Sequence, residues 1–327
     1  HRGSGQQRRA TGNIGALNRE RSSLPFHLRA LRAALRRMNA YLSRRYEAAA
    51  ARANPMPLPE RSAEFTAAEQ QLHGLDHADQ NARAYVEKHL PRLARTLELV
   101  PPARTSGRIL ELGCYLQITP FLAPFRGYRE VRGAHQGAAG IRERKTASVH
   151  GRVFEVEVDL FDAERDRFPY DDGFFETVLA CELIEHMIYD PMHLLLECRR
   201  VLEEGGRLVI TTPNAGSLTS VARALHSYDN PQIHSQYTRP RPGAEPEVPH
   251  VREYTAFELE YALEAAGFAI ETLVTEPIAE LAMNLPMWNF LEANGYNTSR
   301  RGEQAYAVAV KRSILPVTRY PRFLYSD

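Results

Sequence analysis

The chain has 327 residues, 43% of them hydrophobic and 25% charged, the composition of an ordinary globular protein with room for one large domain and additions. No apolar run approaches the roughly 20 residues that cross a bilayer as a helix. Its three cysteines, Cys114, Cys181 and Cys198, lack CxxC spacing, which indicates neither a disulfide framework nor a zinc knuckle and fits a reducing cytoplasm. The net charge of +1 hides an asymmetry, because residues 1–53 carry twelve arginines against only Glu20 and Glu47. A basic arm stands beside an acidic body.

The sequence opens on His1 rather than Met, and the native start is expected upstream of it. Residues 1–23, rich in Gly, Gln, Asn and Arg, read as a mobile basic arm. From Leu24 to Ala53 the pattern is helical, with Leu28, Leu31, Leu35, Met38 and Leu42 forming one apolar seam. The seam is narrow and has no Trp or Phe anchor, so it favours packing on its own body or on a second copy of the chain. A membrane surface or RNA is the less favoured partner. Residues 54–59 (NPMPLP) form a stiff linker, because each proline fixes φ. Helices are expected at 63–73 and 77–98, completing an amino-terminal helical region over 24–99.

From about residue 100 to 327 the texture is α/β. Strands are expected at 108–113, 129–135, 153–160, 174–181, 206–212, 268–275 and 305–312, and helices near 119–125 and at 191–203 and 255–266. Strands alternating with helices imply a doubly wound, mostly parallel, seven-stranded sheet. The last strand follows a long excursion without a clear crossover helix and is expected to enter antiparallel. Ligands of such sheets sit beyond the carboxyl ends of the strands. That singles out Glu111 and Gly113 after strand one, His135 after strand two, Asp159 and Leu160 after strand three, and Cys181 and Glu182 after strand four. In the first of these loops, ILELGCYLQIT, Tyr115 and Gln117 stand where further glycines would continue a nucleotide-binding turn.

The run 157–214, EVDLFDAERDRFPYDDGFFETVLACELIEHMIYDPMHLLLECRRVLEEGGRLVITTPN, is more specific. With Asp159, Phe168-Pro169-Tyr170, Asp172-Gly173-Phe174, Glu182 to His186, Arg200-Val201-Leu202 and Gly205-Gly206 in order, it resembles the class I S-adenosylmethionine-dependent methyltransferases, particularly the ubiquinone-biosynthesis-like branch. The similarity covers about 107–312. It implies a Rossmann-like fold with S-adenosylmethionine as cofactor. Glu111 and Gly113 would border the methionine part, Asp159 would accept from the adenine amino group with Leu160 against the ring, and Cys181 and Glu182 would wall the sulfonium. His135 stands where the family has a ribose-binding acid, and Tyr115 would fill the space the missing glycines leave. The resemblance with these departures implies a re-tuned cofactor site, with a fold that has lost its cofactor affinity as the alternative.

Glu182, Glu185 and His186, with His193, His234 or His250 as a fourth ligand, form a metal-ligand set that some relatives use; a metal-free site is the favoured reading. His186, Glu185 and His250 are then the catalytic candidates, because an imidazole titrating near neutral pH suits proton removal from a hydroxyl. The insert 215–250 projects over the carboxyl edge. Its Tyr, His, Asn and Gln suit a hydroxylated acceptor, a sugar before a quinone, with Tyr228, His234 and Tyr237 as substrate-binding candidates. The expectation is a cytoplasmic O-methyltransferase of a small hydroxylated acceptor. A non-catalytic assembly protein and an RNA 2′-O-methyltransferase are the alternatives.

Overall fold

The computed structural model describes residues 61–77, 80–227, 230–236, 248–278 and 285–326, with seven isolated positions between 30 and 40. Those seven are helical and exposed, within the segment expected to be a helix. The basic arm 1–23, the linker 54–59 and the seam proposed for self-association lie outside the described residues, apart from the exposed Leu31.

Helices α1 (Ala63–Leu72) and α2 (Gln80–Leu99) precede β1 (Arg108–Leu112), α3 (Thr119–Arg126) and β2 (Glu130–His135). A hairpin of β3 (Ile141–Val149) and β4 (Arg152–Leu160) follows, then β5 (Phe175–Cys181), α4 (Pro191–Val201) and β6 (Leu202–Pro213). A short helix α5 (Leu218–Ala222), α6 (Ala256–Ala265), β7 (Phe268–Glu276), α7 (Leu285–Ala293) and β8 (Gln304–Lys311) complete the order. One sheet holds all eight strands in the order β3-β4-β2-β1-β5-β6-β8-β7. Pairs among β4, β2, β1, β5 and β6 are parallel, and β8 lies antiparallel between β6 and β7.

The parallel strands are buried on both faces, which explains their continuous apolar runs: Ile109, Leu110 and Leu112 in β1, Val178, Leu179 and Ala180 in β5, and Leu208, Val209 and Ile210 in β6. On one face α1, α2 and α3 pack through Phe65, Leu72, Leu93, Leu97, Phe121 and Leu122. On the other, α4 and α6 pack through Leu194, Leu195, Leu259 and Leu263. Local signals set the ends of these helices. Asp190 caps α4 by accepting from His193 N, ahead of Pro191, and Thr255 and Glu258 form a reciprocal capping box at α6.

Seven strands were expected and eight are found among the described residues; the additional one is β3. It pairs antiparallel with β4 through a turn in which His150 (φ 49°) and Gly151 (φ 72°) both lie in the left-handed region, the geometry of a tight hairpin. The chain leaves β1 toward β2 on one side and returns as β5 on the other. A crevice therefore opens at the carboxyl ends of β1 and β5.

Candidate active site

At the end of β1 the chain turns through Gly113 (φ 67°), and a Cβ built there would meet nothing within 4 Å. The turn needs a second left-handed residue, Leu116 (φ 65°), and here a leucine holds it. Cys114 N donates to the Ala134 carbonyl, fastening the loop to β2. Glu111 is buried and accepts from Thr119 Oγ1 at 2.5 Å. Burial raises its carboxyl to about 7 against the two hydrogen bonds from Thr119 that lower it. Tyr115 is 67% exposed, so it forms the rim of the crevice rather than its floor. Its ring meets His135 edge-on, with 4.9 Å between centroids. Two of the residues that depart from the expected pattern, Tyr115 and His135, are thus neighbours.

Asp159 and Leu160, at the end of β4, line a cavity of about 290 Å³ with Gly140, Ile141, Arg142 and Pro169. Asp159 Oδ1 accepts from Arg142 Nε at 2.7 Å and Oδ2 from the Tyr170 hydroxyl at 2.8 Å. Burial and the neighbouring carboxylate both push the Tyr170 phenol up, so it remains a donor. An ionised carboxylate has about four lone-pair positions, so Asp159 retains capacity for a further donor.

Beyond β5, Glu182 sits at φ 51° and is directed inward. Its oxygens accept from Thr211 Oγ1 (2.7 Å) and Gln304 Nε2 (2.7 Å) and pair with Arg92 Nη1 (2.5 Å). Burial acts to raise the Glu182 carboxyl, but Arg92 and the hydrogen bonds outweigh it and hold it below the usual range. Glu185 is the opposite case. It is fully buried, burial and the charge of Glu182 raise it well above the usual range, and Thr212 Oγ1 donates to its Oε2 at 2.9 Å. Its Oε1 has no hydrogen-bond partner among the described residues. Two adjacent carboxyls are therefore driven apart in proton affinity.

The insert returns His250 and His234 to this point. The His186 and His250 rings meet edge-on at 4.7 Å, and His234 tilts against His250 at 4.9 Å. Val251 N and Arg252 N donate to the Glu185 carbonyl, which straps the end of the insert to the turn Ile184–His186. Burial first, and then the His250 imidazole, lower the affinity of His186 and of His234 for a proton. One ligand atom each from Glu185, His186 and His250 lies within 4.8 Å of the others, so among the described residues these three are the groups able to share a cation. Glu182 is committed to Arg92 instead, and His193 Nε2 lies 2.8 Å from the Asp166 carbonyl. Tyr228 and Tyr237 lie outside the described residues. Cys181 is half-buried at the end of β5, with its thiol pushed up by burial.

Five further residues enter the site to which the sequence assigned no role. Arg92 and His89 reach it from α2, Arg142 from β3, Tyr170 from the Phe168-Pro169-Tyr170 segment, and Glu253 from just after the insert. Burial, followed by Arg92 and Lys88, lowers the His89 imidazole to about 4. Only Tyr170 and its neighbour Pro169 lay within a motif quoted above; the others carry no local signal.

A family model described as a methyltransferase domain matches residues 81–273. Among curated proteins, the 27-O-demethylrifamycin SV methyltransferase of Amycolatopsis mediterranei is 28% identical over 194 residues, covering 48% of this chain and 67% of that protein. The ubiquinone biosynthesis O-methyltransferase of Maricaulis maris is 33% identical over 121 residues, covering 36% and 44% respectively. The chain thus spans two thirds of the first relative and under half of the second. Among solved structures, an S-adenosylmethionine-dependent methyltransferase of Methanosarcina mazei is 17% identical with a TM-score of 0.39, covering 62% of this chain and 92% of that one. A chain of the complex between the Haloferax volcanii Trm112 methyltransferase activator and its methyltransferase is 14% identical with a TM-score of 0.44, covering 79% and 100%.

Proposed function

The chain belongs to the methyltransferase-domain family, and from that premise we propose that it methylates a hydroxyl oxygen of a small hydroxylated acceptor, a sugar in the first instance. It is an S-adenosylmethionine-dependent enzyme. The residues present fit that cofactor. A cavity of about 290 Å³ offers apolar Ile141, Leu160 and Pro169 beside the buried carboxylate of Asp159, which suits a flat ring bearing an amino group. Gly113 leaves open the space a Cβ would fill. When bound, S-adenosylmethionine supplies an electrophilic methyl group on a sulfonium.

The remaining chemistry belongs to this chain. Asp159 and Leu160 would hold the adenine, Tyr115 and His135 the ribose side, Glu111 and Gly113 the methionine part, and Cys181 and Glu182 the sulfonium wall. Alignment of the acceptor and exclusion of water are the protein's main contributions. His186 or His250 would take the hydroxyl proton. The lowered proton affinity of His186 keeps its imidazole neutral, as a base requires. The observation that carries the reading is the cluster of His186, His250 and His234 over Glu185, polar and rich in hydrogen-bonding atoms, at the edge where an acceptor enters. The relatives whose names specify O-methylation lend support. Should a divalent cation take part, Glu185, His186 and His250 would hold it.

The test is transfer of labelled methyl from S-adenosylmethionine to a panel of sugars, polyols, quinols and RNA, with and without chelator. Methylated sugar or polyol that disappears in His250→Ala supports the reading; label confined to RNA or quinol overturns it. A second reading, a methyltransferase fold serving as an assembly module, draws on the engagement of Asp159 by Arg142 and Tyr170. Failure to bind S-adenosylmethionine would favour it.

A further inference from the structure

Glu253 has no exposed side-chain surface, yet it lies in none of the motifs that mark the fold. Its oxygens have three donors. Oε1 accepts from His250 Nδ1 at 3.1 Å and from His234 N at 2.7 Å, and Oε2 accepts from Ile233 N at 2.5 Å. One buried carboxylate therefore gathers two stretches separated in sequence, 230–236 and 248–254. The second stretch is itself strapped to Glu185 through Val251 N and Arg252 N.

A carboxylate facing Nδ1 of an imidazole selects the tautomer that carries its hydrogen there, leaving Nε2 with a lone pair. The same logic applies to His186, whose Nδ1 lies 3.2 Å from the Pro249 carbonyl, an acceptor only. We propose that Glu253 is a positioning residue: it fixes His250 with Nδ1 protonated and Nε2 free to accept the acceptor's hydroxyl proton, and it holds the 230–236 segment, with His234, against that imidazole. The assignment rests on the reading of this cluster as the acceptor site. In the transfer, the O–H bond breaks as the new C–O bond forms at the methyl carbon. The proton passes to His250 Nε2, and the bond between methyl and sulfonium breaks with its electron pair left on sulfur. No other reactant is needed. Neutral His250 is restored by proton loss to water.

The test uses the full chain, labelled with ¹⁵N and treated with chelator, in a long-range ¹H–¹⁵N correlation spectrum of the histidine rings. The expected result is His250 with Nδ1 protonated and Nε2 bare. Glu253→Gln should mix the tautomers and raise hydrogen exchange at the Ile233 and His234 amides, whereas Glu253→Asp should keep the Nδ1–H form. With an acceptor that the wild type methylates, Glu253→Gln should lower kcat by about 10²- to 10⁴-fold, the range for a lost proton transfer, and leave the S-adenosylmethionine dissociation constant unchanged. An Nε2–H tautomer in the wild type overturns the proposal, and that spectrum suffices even where a variant does not fold. So does a Glu253→Gln spectrum identical to the wild type, or a kcat unaffected by the substitution. The spectrum needs no acceptor and no methyl transfer, so its outcome is independent of whether the O-methylation reading stands.

Discussion

Arg92, in the middle of α2, places Nη1 2.5 Å from Glu182 Oε2 at the end of β5, and so ties the amino-terminal helices to the carboxyl edge of the sheet. The side chains are 13% and 20% exposed, so the pair is largely removed from water. Removing one member of a buried pair leaves the other charge uncompensated, at a cost of about 3–5 kcal/mol. Arg92→Leu should lower the unfolding free energy by about that amount in urea, and pairing it with Glu182→Gln should recover much of the loss. A loss of less than about 1 kcal/mol would mean that α2 is held by its apolar contacts alone.

Glu111 gives stability a pH dependence of known sign. Burial raises its folded-state pKa to about 7, above the ordinary 4.5. The folded protein thus holds this proton more tightly than the unfolded chain. The contribution is fully present below about pH 4.5 and is lost as pH rises through about 7. Glu111→Gln removes that dependence. Relative to wild type, it should stabilise by about 3 kcal/mol more at about pH 8 than at about pH 4, measured by urea unfolding at both. Parallel curves at the two pH values would contradict the assignment.

The thiols should be inert in the folded protein. Burial pushes the Cys114 thiol to about 12 and raises those of Cys181 and Cys198 as well. Because the thiolate is the reactive form, a disulfide reagent at about pH 8 should modify the native protein slowly and all three cysteines at once in denaturant. Rapid reaction of one thiol in the native state would identify an open path to it.

At the rim, His135 sits where a carboxylate would offer charge-assisted hydrogen bonds to a ribose diol. His135→Asp should tighten S-adenosylmethionine binding about tenfold, the equivalent of about 1.4 kcal/mol, as read by calorimetric titration. Unchanged affinity would place the ribose away from Tyr115 and His135.

The parallel core was legible in the sequence because its strands are buried on both faces and therefore read as unbroken apolar runs. β3 was not. Its residues IRERKTASV lie mostly exposed at the sheet edge, where charges guard against further pairing, and its turn uses His150-Gly151 rather than an Asn-Gly signal. Missing β3 also hid Arg142, the partner of Asp159. The residues beside Glu182 and His250 were hidden for a different reason. Arg92 and Glu253 come from elements whose local pattern reports helix packing or loop polarity, and only the tertiary fold brings them to the site. Glu111, Asp159 and Glu182 were legible as crevice candidates because the ends of parallel strands follow from topology, and His186 because it closes the Glu182 to His186 motif that carries the resemblance.

The most direct measurement is calorimetric titration of the wild type and Asp159→Ala with S-adenosylmethionine and S-adenosylhomocysteine. Micromolar binding by the wild type, weakened at least tenfold by the substitution, is the predicted result, since a hydrogen bond to a charged group contributes about 1.5–3 kcal/mol. Absence of binding up to millimolar concentration, or equal affinity in the two proteins, would contradict the assignment of this crevice as the cofactor site.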